Sequence, residues 1–273
     1  MRMNLFADIT FGALQGLTEF LPISSSGHLV IFHELFGLTG ADDLTFDAIL
    51  QLGTMLALLV TFRQDLWRLT QNGFHWLKGK RTTEIQRDFN LICAIIIGTI
   101  PAIGLGLFLQ KWMETIFRHS WLVAIVLLLG SGLMFLAEKT YKPRATPLNL
   151  KSGLSIGLFQ CLALIPGMSR SGSTISGGLL QGLSREQATR FSFLLSIPII
   201  TGSGLLKLTH VIQQPSHTYS PSDLILSFTV SFIVGSFAIN WLLRFLKTHR
   251  LFPFIWYRLG LATLVLLWTA FRF

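Results

Sequence analysis

Apolar runs of about the length of a bilayer-spanning helix recur along the chain, separated by short polar stretches. A helix needs roughly 20 apolar residues to cross the hydrocarbon core. Six runs approach that length: 44–62, 89–110, 119–137, 191–206, 224–243 and 251–271. The first carries Asp47, the fourth is slightly short and the last contains Arg258, whereas the other three contain no Asp, Glu, Lys or Arg. The pattern predicts six transmembrane helices.

Two further apolar segments are too interrupted to form single spans. Residues 9–32 are broken by Glu19 and a serine run, and residues 152–184 are broken by Pro166, Arg170 and several glycines. Short, interrupted segments at matching places of two halves are typical of re-entrant helix pairs around a buried polar site. Non-helical backbone is tolerated at membrane depth only where protein or a water-filled cavity satisfies it. We therefore predict two re-entrant helix pairs.

The chain matches itself without a gap when it is shifted by 145 positions. Residues 12–50 and 157–195 are identical at 11 of 39 positions, where about three would be expected by chance. Each repeat, about 8–138 and about 152–273, then holds one re-entrant pair and three spans. Three is odd, so the second repeat must be inverted relative to the first. We predict one membrane domain over residues 1–273, built as an inverted-topology repeat.

Composition and charge place this fold in a membrane. Hydrophobic residues make up 51% of the chain, charged residues only 13%, and the mean hydropathy is +0.58, which is typical of an all-α polytopic membrane protein. Sixteen Lys and Arg residues fall on one predicted side, in 63–87, 139–151, 185–190 and 244–258. The opposite side has five: Arg2, Lys111, Arg118, Lys207 and Arg272.

The positive-inside rule assigns the first of these sides to the cytoplasm and both termini to the outside. The first broken segment then enters from the outer face and the second from the inner face. The net charge of +9 is explained by this topology and by the anionic inner leaflet, so we expect the bilayer and not nucleic acid as the partner. The basic, tryptophan-containing stretch 64–88 is expected to lie along the membrane surface.

The sequence predicts neither a cleavable targeting segment nor a redox or metal site at its cysteines. We expect no cleavable signal peptide, because Asp8 precedes any long apolar core and no small-residue cleavage site follows. Cys93 and Cys161 lie in apolar segments without metal-ligand spacing, so neither a disulfide nor a metal site is implied. Glycine-rich helices permit close packing within one chain, and they are equally compatible with a homodimer.

The first broken segment carries an acid and an amide at helical spacing. Gln15 and Glu19 are four residues apart, hence on one face of a helix. Two oxygen-bearing side chains at this spacing can hold a hard cation, or Glu19 can act as a base. The alternative is that Glu19 only caps or solvates a loop near the interface, although a carboxylate at membrane depth is costly.

A serine run follows directly. The hydroxyls of Ser24, Ser25 and Ser26, followed by Gly27 at a helix start, can bind an oxyanion together with free N–H groups. His28 is one helical turn from Ser24, so it could assist a serine nucleophile or protonate a leaving group. Serine runs also begin ordinary helices, so this feature alone is weak evidence for an anion-binding or catalytic site.

The second broken segment contains an arginine. An unpaired guanidinium near the bilayer centre costs about 2.5–3.5 kcal/mol, so Arg170 needs an anionic partner. That partner is either Glu19, in a structural ion pair, or a bound phosphate. The surrounding hydroxyls of Ser169, Ser171 and Thr174 exceed what an ion pair requires and favour phosphate.

The two repeats differ at the residues that carry this chemistry. Glu19 and His28 have no acid or imidazole counterpart in the second copy, and Arg170 has a serine counterpart in the first. A site shared between the repeats at their pseudo-symmetry axis would have this composition. Asp47 and Gln51, also four apart, are predicted to belong to the same cavity, either as direct contacts or as supporting residues behind it.

Inverted repeats with broken helices also mark secondary transporters, and a carrier of a lipid phosphate would need the same arginine. The carboxylate, imidazole and hydroxyls favour an enzyme, because a carrier needs binding groups but neither a nucleophile nor an acid–base pair.

Two motifs carry a resemblance to a known family. Residues 15–28, QGLTEFLPISSSGH, and 166–174, PGMSRSGST, are similar to the two signature regions of the undecaprenyl-diphosphate phosphatase family, which is linked to bacitracin resistance. The likeness continues through 46–53 and 191–198 and covers essentially the whole chain. Many relatives have glutamate at the position of Gln15 and threonine at that of Ser26, so any metal site here has one charge fewer.

This resemblance implies an integral enzyme of the bacterial cytoplasmic membrane. It would hydrolyse undecaprenyl diphosphate to the monophosphate and inorganic phosphate at the outer face, recycling the lipid carrier for wall synthesis. It also implies a divalent cation, Mg²⁺ or Ca²⁺. Carried over by motif, the roles are metal and water binding for Gln15 and Glu19, and phosphate binding for Ser24, Ser25, Ser26, His28, Ser169, Arg170, Ser171 and Thr174. Ser25, His28 and water remain alternative nucleophiles.

Overall fold

The regular structure is entirely helical over the residues that the computed structural model describes, which are 5–36, 41–116, 119–144, 148–213 and 220–271. In chain order the helices of these residues are α1 (Leu5–Phe20), α2 (Ser25–Phe36), α3 (Ala41–Thr61), α4 (Arg63–Leu77), α5 (Thr83–Ile116), α6 (Ser120–Thr140), α7 (Leu150–Leu162), α8 (Arg170–Leu180), α9 (Arg185–Gln213), α10 (Pro221–Thr248) and α11 (Phe252–Ala270). The predicted all-α class is confirmed.

Five of these helices are long and apolar enough to cross a bilayer, so the chain is a multi-pass membrane protein. They are Thr83–Leu109, Ser120–Thr140, Arg185–Leu206, Pro221–Thr248 and Phe252–Ala270. The remaining predicted span, 44–62, lies in α3, whose stretch Phe46–Thr61 is long enough to span only together with Arg63–Leu77 of α4. The two helices meet at a bend of 64°. The helix α4 covers the first part of the basic stretch 64–88, which we expected along the membrane surface.

Several spans begin earlier than hydropathy predicts. The helix expected at 89–110 begins at Thr83, and the one expected at 191–206 begins at Arg185. Hydropathy detects only the apolar turns of a helix, whereas its polar first turns continue the same hydrogen bonding into the interface. The termini and the basic residues Arg2, Arg118 and Arg272 lie outside the described residues.

Both interrupted segments form short helix pairs. The first pair, α1 and α2, has 16 and 12 residues, and the second, α7 and α8, has 13 and 11. Each is shorter than a bilayer-spanning helix. The first break, residues 21–24, includes Pro22, and the second, residues 163–169, includes Pro166. Proline disfavours helical backbone in the residue before it and removes one N–H donor.

The two breaks have the same local geometry. Ser24 (φ 75°) and Ser169 (φ 74°) are the non-glycine residues with positive φ in the described part of the chain, and they are 145 positions apart. The Oγ of Ser24 accepts from the N–H of Gly27 at 3.3 Å, and the Oγ of Ser169 accepts from the N–H of Gly172 at 3.1 Å. Both serines therefore cap the helix that follows.

Glycines allow each helix pair to pack closely on a long helix. A Cβ on Gly12 of α1 would lie 2.8 Å from the carbonyl oxygen of Ser227 in α10. A Cβ on Gly157 of α7, the repeat counterpart of Gly12, would collide with the backbone of Gly98 in α5. Small residues at such contacts let helix backbones approach one another in a membrane.

Ion pairs connect the predicted cytoplasmic segments with one another at one end of the bundle. Arg190 of α9 donates to Asp65 of α4 at 2.6 Å. Glu138 of α6 accepts from Arg185 Nε at 2.9 Å and from the backbone N–H of Leu251 at 2.8 Å. The beginning of α9, the end of α6 and the beginning of α11 therefore meet, as the topology requires. We call this the ionic end of the bundle.

Candidate active site

The two breaks meet around a polar cavity of about 190 Å³. Ser24, Ser25 and Ser26 line it from the first break and the beginning of α2, and Ser169 and Arg170 line it from the second break and the beginning of α8. A neighbouring cavity of about 200 Å³ shares part of this lining and extends along α2 and α3. The residues common to both are Glu19, Ser25, Ser26 and Gln51.

Glu19 lies at the centre of the site. Its Oε1 accepts from Arg170 Nη2 at 3.1 Å, and its Oε2 accepts from Ser25 Oγ at 2.7 Å and from Gln15 Nε2 at 3.2 Å. Only 10% of the Glu19 side chain and 13% of the Arg170 side chain are exposed. The structure thus brings together four residues that the sequence singled out.

Arg170 retains a free donor after this pairing. Its Nη2 contacts Glu19, but its Nη1 is buried and has no hydrogen-bond partner. A buried guanidinium N–H without an acceptor is costly. Because Arg170 also lines the cavity, an anion there could accept from Nη1. The ion pair and the phosphate contact, which the sequence posed as alternatives, can therefore coexist in one site.

Two helix N-termini also point their dipoles at this region. The helix α2 begins at Ser25 and α8 begins at Arg170, and both residues line the cavity. The first N–H groups of a helix lack intrahelical acceptors and carry partial positive charge. Two such N-termini with one guanidinium form a site suited to a phosphate group.

Two of the predicted phosphate ligands support the loops and do not line the cavity. Ser171 Oγ donates to the carbonyl of Leu21 at 3.0 Å, which joins the second break to the first. Thr174 Oγ1 lies 2.7 Å from the carbonyl of Arg170 and 2.6 Å from Ser192 Oγ, and Thr174 is fully buried. Hydroxyls committed to backbone and neighbouring side chains hold the loop geometry.

His28 is also held away from the cavity. Its Nδ1 lies 2.7 Å from the carbonyl of Ser24, and its Nε2 lies 2.7 Å from the hydroxyl of Tyr257 in α11. Only 3% of the residue is exposed, and it lines neither cavity. The structure does not bring His28 to Ser25. Tyr257 gave no sequence signal, because aromatic residues are common near the ends of transmembrane helices.

Arg258 was counted among the cytoplasmic basic residues, and this placement is wrong. The residue is fully buried in the bundle. Its guanidinium donates to the carbonyl of Pro22 at 3.4 Å and to the carbonyl of Gly167 at 3.0 Å, and therefore contacts both breaks. A charge inside the apolar run 251–271 was the available signal, since an arginine in a transmembrane helix marks a functional-site hypothesis.

The residues around Glu19 offer oxygen ligands for a hard cation. Within the described residues there is no cluster of three or more His, Cys, Asp and Glu side chains that could hold a metal alone. Gln15 is 3% exposed, lines the second cavity, and has a buried Oε1 with no hydrogen-bond partner. This orphaned oxygen beside a carboxylate fits Mg²⁺ or Ca²⁺, which commonly complete their shells with substrate phosphate oxygens or water.

Asp47 and Gln51 take up the cavity positions that their spacing suggested. Gln51 lines both cavities, and Asp47 lines the second, where its Oδ1 lies 3.4 Å from His33 Nε2. His33 therefore reaches this cavity as well. The second cavity therefore continues the site from Glu19 along α2 and α3.

Residues 8–264 match the family described as "Bacitracin resistance protein BacA". The chain belongs to the BacA family. The matched range contains both breaks and all of the site residues named above. Membership in the BacA family confirms the resemblance drawn from the two motifs.

Curated relatives carry one recurring name. "Undecaprenyl-diphosphatase 1" of Corynebacterium jeikeium is 44% identical over 94% of this chain and 92% of its own length. "Undecaprenyl-diphosphatase" of Geobacter metallireducens is 41% identical over 97% of this chain and 98% of its own length. The BacA-family likeness therefore extends over whole chains and not over single motifs.

Proposed function

We propose that this protein hydrolyses undecaprenyl diphosphate to undecaprenyl phosphate and inorganic phosphate at the outer face of the bacterial cytoplasmic membrane. The reaction would recycle the lipid carrier for cell-wall synthesis, and abundant enzyme would confer bacitracin resistance. The names of the relatives supply the substrate. The observation that carries the proposal is the contact of Glu19 with both Ser25 and Arg170 at two helix N-termini.

The charge of the site suits the substrate. A lipid diphosphate bears about two to three negative charges near neutral pH. Arg170 Nη1 and the first N–H groups of α2 and α8 can donate hydrogen bonds to the charged phosphate oxygens at the cavity. Ser24, Ser26 and Ser169 line the same cavity and are assigned to the phosphate oxygens.

Binding of the diphosphate would also activate Glu19. In the structure Arg170 Nη2 holds the Glu19 carboxylate at 3.1 Å. A phosphate that attracts the guanidinium weakens this pairing, and the carboxylate then becomes a better acceptor for the proton of Ser25 Oγ, which lies 2.7 Å away. Substrate binding and base activation are coupled through one side chain.

Ser25 is assigned as the nucleophile. Its oxygen attacks the terminal phosphorus as the proton passes to Glu19, and the bond from phosphorus to the bridging oxygen breaks. Undecaprenyl phosphate leaves and takes up the proton. Water then attacks the phosphoserine while Glu19 accepts its proton, which returns to Ser25 as inorganic phosphate is released. Direct attack by water activated by Glu19 is the alternative, and His28 is not assigned because it lines neither cavity.

A divalent cation is part of the proposal. Glu19 and the Oε1 of Gln15 would hold it, and it would neutralise negative charge on the phosphate oxygens. Glutamine in place of glutamate provides one charge fewer, so the affinity for the cation should be modest.

The placement of the cavity supports the outer orientation. Ile199, Ile200 and Ser203 line the first cavity and lie at or beyond the middle of α9, away from Arg185 at its ionic end. The second cavity reaches His33, near the end of α2 that is remote from the break. If the ionic end faces the cytoplasm, both cavities extend toward the outside.

The decisive experiment is phosphate release from undecaprenyl diphosphate by the detergent-purified protein, with and without EDTA. We expect cation-dependent hydrolysis that Glu19→Ala and Arg170→Ala abolish. Transport cannot occur in detergent micelles, so release there separates an enzyme from a carrier. A folded wild-type protein that binds lipid phosphate but releases none would contradict the proposal and favour a transporter.

A further inference from the structure

Arg258 makes an unusual set of contacts for a residue of a spanning helix. It is the largest of the fully buried side chains, and its three guanidinium nitrogens contact three separate parts of the fold. Nε donates to Ser131 Oγ at 3.1 Å, and Nη2 donates to the carbonyl of Leu127 at 3.1 Å, both in α6. Nη1 and Nη2 reach the carbonyls of the two breaks, Pro22 and Gly167.

The two loop contacts are equivalent in the repeat. Pro22 and Gly167 are 145 positions apart, and each lies two residues before the serine that caps α2 or α8. One guanidinium therefore binds the same carbonyl in both copies of the loop. A single group that bridges equivalent positions fixes the separation of the two helix N-termini that line the cavity.

A neutral donor would suffice if these carbonyls only needed hydrogen bonds. All four acceptors of Arg258 are uncharged, and no carboxylate lies within ion-pair distance of it in the described part of the chain. A buried charge without a counter-ion is costly. The planar fork of arginine, however, reaches several acceptors at fixed angles, which an ammonium or an amide cannot do.

We infer that Arg258 is a positioning residue that holds the first and second breaks in register around the phosphate cavity. This inference rests on the proposed hydrolysis and adds to it a residue outside both signature motifs. Arg258 lines neither of the two cavities described above, so it acts on the phosphate through Ser24, Ser169 and the N–H groups that follow them. Misplacement of reacting groups by about 1 Å can cost roughly 100-fold in rate.

The neighbouring helix supplies a test that leaves Arg258 intact. A Cβ on Gly130 of α6 would collide with Nη2 of Arg258 and lie 2.8 Å from the carbonyl of Met168. A Cβ on Gly132, half a turn further along α6, would meet nothing within 4 Å. Gly130→Ala therefore displaces the guanidinium, and Gly132→Ala is a matched control in the same helix.

The experiment compares the wild type with Arg258→Lys, Arg258→Gln, Gly130→Ala and Gly132→Ala in detergent. For each we would measure kcat and KM with undecaprenyl diphosphate, the Kd of inorganic phosphate, and the elution profile. We expect kcat to fall roughly 10- to 100-fold in the first three variants. KM should stay within about threefold, because the apolar prenyl chain, which inorganic phosphate lacks, also contributes to the affinity for the lipid. Phosphate binding should weaken in parallel, and Gly132→Ala should match the wild type.

Several results would overturn the inference. Wild-type kcat in Arg258→Lys with loss in Arg258→Gln would mean that charge, and not bridging, is what matters. Unfolding of both Arg258→Lys and Gly130→Ala would make the residue a structural element of the bundle. Folded variants with unchanged kcat and unchanged phosphate affinity would exclude any role. If the wild type itself hydrolyses nothing, the proposed function fails, and the phosphate affinities still decide the positioning role.

Discussion

Glu19 and Arg170 are 151 positions apart in the sequence, yet Glu19 Oε1 and Arg170 Nη2 lie 3.1 Å apart. Each side chain comes from a different interrupted helix pair, and both are almost fully enclosed. The pair therefore joins the two halves of the chain at the point where their helices break. Since the same carboxylate also holds Ser25, one ion pair connects anion binding to the group that would attack phosphorus.

Replacing Arg170 by lysine tests whether one side chain must contact both Glu19 and the bound phosphate. An ammonium is a point charge and cannot hold Glu19 and a phosphate in bidentate geometry. We expect kcat/KM to fall about 10²- to 10³-fold, as for the loss of one donor to a developing oxyanion. Arg190→Lys is the control, because Arg190 pairs with Asp65 at the ionic end, and it should stay near the wild-type rate. Equal activity of both variants would contradict the assignment.

The same pair predicts a stability pattern. Glu19→Gln leaves a buried guanidinium without its counter-charge, which typically costs about 3–5 kcal/mol. Glu19→Gln combined with Arg170→Met removes both charges and should recover much of this loss, while hydrolysis stays absent. Thermal unfolding in detergent measures the stability, and phosphate release measures the activity. Recovery of activity in the double variant would show that neither charge is needed for chemistry.

Ser25 and Ser26 are adjacent and both line the cavity, but only Ser25 contacts Glu19. Ser25→Ala should therefore abolish turnover, whereas Ser26→Ala should lose only a phosphate contact, about tenfold or less. Acid quench during turnover followed by mass spectrometry should detect phosphate on the peptide that contains Ser25. Full activity of Ser25→Ala would exclude the covalent route and leave attack by water.

Gln15 offers a test of the cation that can be read without substrate turnover. Its Oε1 is buried without a partner beside Glu19, and a carboxylate there would add one negative charge. Gln15→Glu should lower the Mg²⁺ or Ca²⁺ concentration at which the melting temperature rises, and Gln15→Leu should raise it. Melting curves that do not respond to the cation in any of the three proteins would remove the cation from this site.

The sequence predicted the broken helices and the main members of the site because both depend on local signals. Hydropathy locates apolar runs. Charged residues that interrupt such runs, such as Glu19 and Arg170, are rare in membrane segments and therefore indicate a functional site. The shift of 145 positions also indicated that the two loops share one site. The apolar runs and their interruptions depend on neighbouring residues and the repeat on a direct comparison of the sequence with itself, so neither requires the tertiary structure.

The roles that depend on long-range packing could not be read in the same way. Arg258 looked like one more basic residue near the cytoplasmic end, and only tertiary structure brings it to Pro22 and Gly167. His28 looked like a partner of the serine hydroxyls, but its ring nitrogens lie against the backbone carbonyl of Ser24 and the hydroxyl of Tyr257. Motif spacing predicts which residues share a turn of helix. It does not predict which face of that helix is covered by the rest of the bundle.

Close helix packing predicts opposite outcomes for two similar substitutions. A Cβ on Gly16 of α1 would lie 2.8 Å from the backbone nitrogen of Gly235 in α10, whereas a Cβ on Gly104 of α5 would meet nothing within 4 Å. Gly16→Ala should destabilise the protein by about 1–3 kcal/mol through overpacking. Gly104→Ala should be neutral or slightly stabilising, since alanine favours helix. Melting temperatures in one detergent compare the two, and equal values would contradict the packing described for α1 and α10.

The orientation of the chain can be tested by labelling single cysteines in a background without Cys93 and Cys161. Lys80 follows α4 on the basic side, and Ser222 is exposed at the beginning of α10, at the opposite end. If the basic side is cytoplasmic, a membrane-impermeant maleimide should label Ser222→Cys but not Lys80→Cys in intact cells. Inside-out vesicles should reverse the result. The reverse pattern in intact cells would place the cavity, which extends away from the ionic end, on the cytoplasmic side, and the released phosphate would then enter the cytoplasm.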